Sequence, residues 1–247
     1  MINQQESLNI SHQGLVVLPA QIAQLKDLKK LFLNDNHLIL PPDEILQLDQ
    51  LEELVLDRNR LTLLPNISSL KHLTYLGLNH NPFTVLPEIL GDLSELREFW
   101  AVDCGLISVP RSIGKLNKLT KLGLSNNALM SLPAEFGSLG SLQWLSLANN
   151  KLQDVPEEVK NLQSLVFINL DGNSFDCIPK ALTDIPSLQV LLLKFNRISS
   201  VEDELIPAFS RLTKLDLRQN PLTLRPHHWK GLNCILLNAT EEASMND

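Results

Sequence analysis

The chain has 247 residues, 44% hydrophobic and 20% charged, with mean hydropathy near zero, the composition of a globular protein able to build a large core. Its net charge of −7 and pI of about 5.4 argue against a surface built for nucleic-acid phosphates. No apolar run approaches the roughly 18 residues of a membrane-spanning helix, so no membrane insertion is expected.

The opening MINQQES has neither the basic nor the apolar stretch of a secretory leader. Cys104, Cys177 and Cys234 are odd in number and far apart, which fits neither a disulfide framework nor a CxxC metal site. A reducing, cytoplasmic setting is therefore expected, and the sequons at Asn9, Asn66 and Asn238 are read as chance occurrences.

From there a repeat organises the chain. An incomplete first unit carries Leu8, Ile10, Leu15, Leu18, Pro19, Ile22 and Leu25, with Gln13 where later units carry asparagine. Asn36, Asn59, Asn81, then Cys104, then Asn127, Asn150, Asn173, Asn196 and Asn220 follow at intervals of 22 to 24 residues. Each unit reads LxxLxLxxNxLxxLPxxIxxLxx, as from Leu142 to Ser164. After Leu232, the segment CILL predicts one last short strand. Composition does not shift and no linker interrupts the repeats, which predicts a single domain over 1–238. The acidic end, 239–247, is expected to be a disordered tail.

Alternation in LxLxx puts leucines on one face of a short strand. The LP pair and the IxxL spacing return the chain along a helical or irregular outer side. One unit cannot bury both apolar edges, so units must stack, and each buried leucine then contributes about 1.5–3 kcal/mol. The asparagine stands where the chain leaves the strand, and its amide can both donate to and accept from stranded backbone groups.

These units resemble the leucine-rich-repeat family over residues 5–238, and their length and LP pair look most like its intracellular Ras-group class. The resemblance implies an α/β fold: a curved leucine-rich-repeat solenoid with a parallel sheet on the concave face and helical or irregular turns on the convex face. It also implies a protein-binding scaffold, with a small GTPase, a phosphatase or a ubiquitin-system component among the partners. A secreted bacterial effector acting on a host protein, or the substrate-reading subunit of a ubiquitin ligase or phosphatase complex, are the alternatives.

No enzyme is expected. Of the histidines, His12, His37, His72, His80, His227 and His228, none forms HExxH or sits at a ligand spacing, so neither a metal nor a cofactor is called for. There is no phosphate loop and no nucleophile elbow. Cys104 occupies an asparagine position and reads as a structural thiol.

Function should therefore be written on the concave face, at the third, fifth, seventh and eighth positions of LxxLxLxxN. Trp144, Phe167 and Val190 are third positions on consecutive strands, with the fifth-position Leu192 beside them, an apolar stripe suited to anchoring a protein. Lys121, Lys194, Lys214 and Arg218 flank it, and suit a partner with acidic residues around an apolar centre. Tyr75 and Phe195 complete the candidate aromatics.

The unit LREFWAVDCGLISVP, from Leu96 to Pro110, departs most from its neighbours. Phe99 and Ala101 point inward and together roughly conserve core volume. Trp100 and Val102 point outward, and Trp100 has Gly77 and Gly123 at its own position on the two neighbouring strands. No nucleic acid is among the expected partners.

Overall fold

The structure is a computed structural model that describes residues 6–40, 43–222, 229 and 232–237. Among these the backbone forms one sheet of eleven parallel strands in strict chain order. The strands are β1 (Ser7–Asn9), β2 (Lys30–Phe32), β3 (Glu53–Val55), β4 (Tyr75–Gly77), β5 (Glu98–Trp100), β6 (Lys121–Gly123), β7 (Trp144–Ser146), β8 (Phe167–Asn169), β9 (Val190–Leu192), β10 (Lys214–Asp216) and β11 (Ile235–Leu236). The last of these comes from the terminal half unit, as its sequence predicts. His227, His228 and the acidic tail lie outside the described residues.

Each strand is short because only its middle residue is a core leucine or its equivalent. Leu31, Leu54, Leu76, Phe99 and Leu122 are all fully buried. Phe99 and Ala101, the large and small departures in the segment that begins at β5, are both fully buried as well. The exit from the strand needs a left-handed residue, and φ is positive one position before the asparagine column at Asp35, Arg58, His80, Asp103, Asn126, Asn149, Gly172, Phe195 and Gln219.

The convex side is built mostly of single 3₁₀ turns. Proline fixes φ near −65° at the entry, and its carbonyl accepts the first three-residue bond. Ile22 N–H donates to Pro19 O at 3.0 Å, Ile113 to Pro110 at 3.1 Å and Phe136 to Pro133 at 3.0 Å. The IxxL spacing of three then matches one 3₁₀ turn, with Leu25 donating to Ile22 O and Leu116 to Ile113 O. Toward the C-terminus this side widens into two short α-helices, α1 (Lys180–Thr183) and α2 (Ile206–Phe209). Glycine permits the closest approach of successive turns: a Cβ on Gly137 would lie 2.2 Å from Glu158 O.

The asparagine column ties the units together. Asn59 Nδ2 donates to Leu56 O in its own unit and to Leu33 O in the previous one, each at 3.0 Å, while its Oδ1 accepts from Leu38 N–H at 3.1 Å. Asn81, Asn150, Asn173, Asn196 and Asn220 repeat the pattern.

Cys104 performs half of the task. Its Sγ–H donates to Leu78 O at 3.3 Å, but no asparagine oxygen is there for Phe83 N–H, which turns to Asn81 O at 2.8 Å. Burial raises the Cys104 pKa to about 11, so the thiol stays protonated at neutral pH.

Replacing Cys104 by Asn should restore the missing acceptor and raise stability by about 0.5–1.5 kcal/mol, whereas Asn127→Ala should lower it by about 1–3 kcal/mol. Denaturant unfolding of the two variants checks both signs. A Cys104→Asn variant less stable than the native chain would show that the thiol fits this position better than an amide.

Candidate functional site

The parallel register places the third-position residues in one row: Tyr75, Glu98, Lys121, Trp144, Phe167, Val190 and Lys214 are successive partners. The fifth-position row beside it runs Gly77, Trp100, Gly123, Ser146, Asn169, Leu192 and Asp216. Trp144 and Phe167 stack with ring centroids 5.5 Å apart and planes 2° from parallel. Trp100, two strands from Trp144, still reaches it, with centroids 5.2 Å apart and planes tilted by 47°.

Gly123 explains that reach. A Cβ there would stand 2.4 Å from Trp100 Cε3, so the indole lies directly over the glycine backbone of β6. The stripe and Trp100, separate features in the sequence, are thus one continuous aromatic row. Its indole Nε1–H is buried without an acceptor, which leaves an unmet polar group at the end of the row. Val190 and Leu192, both half-buried, continue the apolar surface on β9.

The fifth position differs from the sequence expectation in one respect. It is not free of structural duty, because neighbouring third and seventh side chains shelter it. Gly77, Gly123, Ser146 and Asp216 are all buried. Ser146 Oγ lies 2.6 Å from Ser125 Oγ, and Asp216 is held by Arg218 through Nε and Nη2 at 2.8 and 2.6 Å. Gly77 is covered by Asp57, whose carboxylate accepts from Asn79 N–H and Nδ2. Burial pushes the pKa of Asp57 up against those hydrogen bonds.

Charge on the face is likewise rearranged by pairing. Lys121 and Arg218, two of the four flanking cations, are committed within the chain: Lys121 to Glu98 at 2.9 Å and Arg218 to Asp216. Lys30 and Glu53, like Lys121 and Glu98, pair across neighbouring strands, at 3.1 Å. Lys194 and Lys214 make no ion pair among the described residues. Lys194 Nζ instead sits 5.4 Å from the ring centroid of Phe195, which is 60% exposed. The positive character available to a partner is therefore concentrated at the β9–β10 end, beside the apolar stripe.

Tyr75 stands apart from the aromatic row. Burial and the nearby Asp57, Glu98 and Glu53 raise its phenol pKa. Val102 is half-buried, its N–H donating to Asn79 Oδ1 at 2.8 Å. Among the described residues no three of His, Cys, Asp and Glu converge as metal ligands, and no helix is long and apolar enough to cross a membrane.

A family profile for a leucine-rich repeat region matches residues 111–219, and one for a single leucine-rich repeat matches 72–93. A leucine-rich-repeat protein of Leptospira interrogans is 33% identical, superposes with a TM-score of 0.85, and is matched over 96% of this chain and 67% of its own. The chain belongs to the leucine-rich-repeat family.

Two plant relatives of this leucine-rich-repeat chain carry bound ligands. The ectodomain of the Arabidopsis thaliana membrane receptor kinase GASSHO1/SCHENGEN3, in complex with Casparian strip integrity factor 2, is 30% identical with a TM-score of 0.78. The plant peptide hormone receptor RGFR1, in complex with RGF2, is 29% identical with a TM-score of 0.79. The alignments cover 94% and 93% of this chain but only 29% and 38% of those receptors. No curated protein sequence matches the chain.

The row could have been read from sequence through a single extra signal. Trp100 and Trp144 are separated by 44 residues, two repeats, and the glycine between them at the fifth position is what lets them meet.

Gly123→Ala should drive Trp100 off its seat and uncouple it from Trp144. The expected outcome is loss of the Trp–Trp exciton signal in circular dichroism with destabilisation of about 1–3 kcal/mol. An unchanged signal would place the indole elsewhere.

The Asp216 carboxylate gives a pH-dependent check. Burial alone would raise its pKa, but the two hydrogen bonds and the charge of Arg218 outweigh burial and hold it below the ordinary carboxylate range. Its folded pKa is depressed, so its stabilising effect is present above the unfolded pKa and lost as pH falls through the folded one. Arg218→Gln should lower stability at neutral pH, by a modest amount because the arginine side chain is 41% exposed and its charge is screened by solvent. The difference from the native chain should vanish in acid, where Asp216 protonates in both proteins.

Proposed function

We propose that this chain is a non-catalytic scaffold that captures a protein partner on its concave face, with the row Trp100–Trp144–Phe167 and the adjoining Val190 and Leu192 as the anchor. The single observation that carries this reading is the aromatic row itself. Three large rings assembled across four strands of a half-exposed sheet answer to no core requirement, since the core beneath is already filled by leucines. Aromatic clusters of this kind supply most of the binding energy at protein interfaces.

Lys194 and Lys214 set the chemistry of the partner: an apolar or aromatic centre with acidic residues toward the β9–β10 end. The ligand-bound plant relatives support a polypeptide ligand. Likeness to Ras-group repeats and the free thiols of Cys104, Cys177 and Cys234 favour a cytoplasmic partner such as a small GTPase, a phosphatase or a ubiquitin-system component.

Trp144→Ala with Phe167→Ala should abolish partner capture from a cell lysate and leave the thermal midpoint nearly unchanged, because both side chains lie on the sheet surface and not in the core. Affinity purification with mass spectrometry checks the first and thermal unfolding the second. Undiminished capture by the double variant would remove the row as the anchor.

A further inference from the structure

Nine large hydrophobic side chains are exposed among the described residues, and eight of them lie on one flank of the solenoid, in the stretch between the asparagine column and the proline column. Three positions after the asparagine place stand Val16, Ile39, Ile107 and Met130, from 49% to 67% exposed. Four positions after it stand Val17, Leu40, Leu63 and Val85, from 50% to 74% exposed. Every unit from the first to the one carrying Asn127 contributes at least one.

The next three units provide an internal control. The same two positions carry Gln153 and Asp154, then Asp176 and Cys177, then Ser199 and Ser200, all exposed. Strand pairing and the asparagine bridges are the same in both halves, so the bend itself does not require apolar residues here. The aliphatic band answers to something outside the core, and among the described residues it ends at one boundary, after the unit of Asn127.

We propose that this band is a self-association surface that pairs the chain with a second copy of itself. Three features select that occupant. The first is area. A fully buried aliphatic side chain removes roughly 60–120 Å² from water, so eight that are half to three-quarters exposed offer on the order of 500 Å² of apolar surface. Thr62, Thr84, Ser108 and Ser131, exposed at the same two positions, add to that footprint toward the ~800 Å² per partner of a stable interface.

The second feature is charge. No ionised side chain interrupts the two columns, and on the concave rim Asp35 lies between His12 at 3.6 Å and Arg58 at 3.9 Å, while Asp103 lies 3.0 Å from His80. The ionised rim residues Asp35, Arg58 and Asp103 alternate in sign, so two copies meet without a single-sign field between them.

The third is curvature. Six units at about 4.8 Å spacing make an arc of about 24 Å, and only a surface of the same curvature follows it throughout. Rotating one copy by a half-turn about an axis running from the concave to the convex side preserves that curvature and reverses the chain direction. The contact is then isologous, with the unit of Leu63 facing the unit of Val85 across the axis. Both aromatic rows open on the same side of the pair, so self-association leaves the concave face accessible and is independent of the partner reading above.

The test is the mass of the full chain in solution at concentrations on the order of 10–100 µM. Sedimentation or light scattering should give twice the 27.7 kDa of one chain. Leu40→Glu with Ile107→Glu, both more than half exposed and so harmless to folding, should weaken pairing by at least ~100-fold at unchanged thermal midpoint. Gln153→Glu with Ser200→Glu, on the polar half of the same flank, should leave it unchanged.

In a Cys177→Ser background, a short bismaleimide should join a chain carrying Leu63→Cys to one carrying Val85→Cys. It should fail to join Leu63→Cys to Gln153→Cys. A monomer at these concentrations overturns the proposal, whether it is inert, floats with phosphatidylcholine vesicles or takes up an amphipathic helix on this band. So does a pair that survives the glutamates.

Discussion

Each asparagine amide bridges two units of the solenoid, donating to a carbonyl in its own unit and to one in the unit before, and accepting an N–H from that same earlier unit. The bends where strands end would otherwise leave those backbone groups buried and unpaired, which costs about 1–3 kcal/mol per group. Everything else in the molecule hangs on this bridge. It fixes the register of successive strands, the register aligns third and fifth positions into rows, and the rows place side chains 22 to 24 residues apart in contact. The aromatic row is possible only because the register holds across β5 to β8. Cys104 shows the tolerance of the device: a thiol keeps the donor, drops the acceptor, and the backbone of Asn81 absorbs the difference.

A solenoid also separates duties by position more cleanly than a globular domain does. Inward positions are occupied by leucine, isoleucine or phenylalanine with almost no exposure, and the stability they supply arises only between neighbours. Outward positions on the concave sheet and on the flank are then available for recognition. In this chain the two surfaces divide differently along its length. Concave aromatics occupy the middle units, toward the lysines of β9 and β10, while the flank aliphatics occupy the first six units. Because a repeat protein presents each position many times, a residue class confined to some of the units is itself evidence of a local purpose.

Much of the fold was legible from the sequence because the repeat states its own geometry. The LxLxx alternation marks the strands, the asparagine marks the bend, and CILL marks a last strand, while the IxxL spacing marks only a helical or irregular return that the structure resolves mostly into 3₁₀ turns. The site was legible in part. Trp144, Phe167 and Val190 form a row simply because they share a repeat position, and the glycines around Trp100 signalled room for an indole. Pairing was harder to read: Lys121 and Arg218 look like free cations in the sequence, yet Glu98 and Asp216 engage them. The flank band is not legible in the sequence because the positions after the asparagine read as a turn, where exposed residues carry no pattern until units are laid side by side.

Sequence alone determined the periodicity, the inward and outward assignment of most positions, and the identity of the residues at each bend, because these follow from steric and hydrogen-bonding rules acting within one or two units. Tertiary structure alone decided which outward residues meet. Trp100 touches Trp144 across an intervening strand, Asp216 is buried under Arg218, and eight aliphatic side chains from six units share one flank. Such contacts depend on side-chain reach and on what the neighbouring unit leaves uncovered, and those are settled only when the units are stacked.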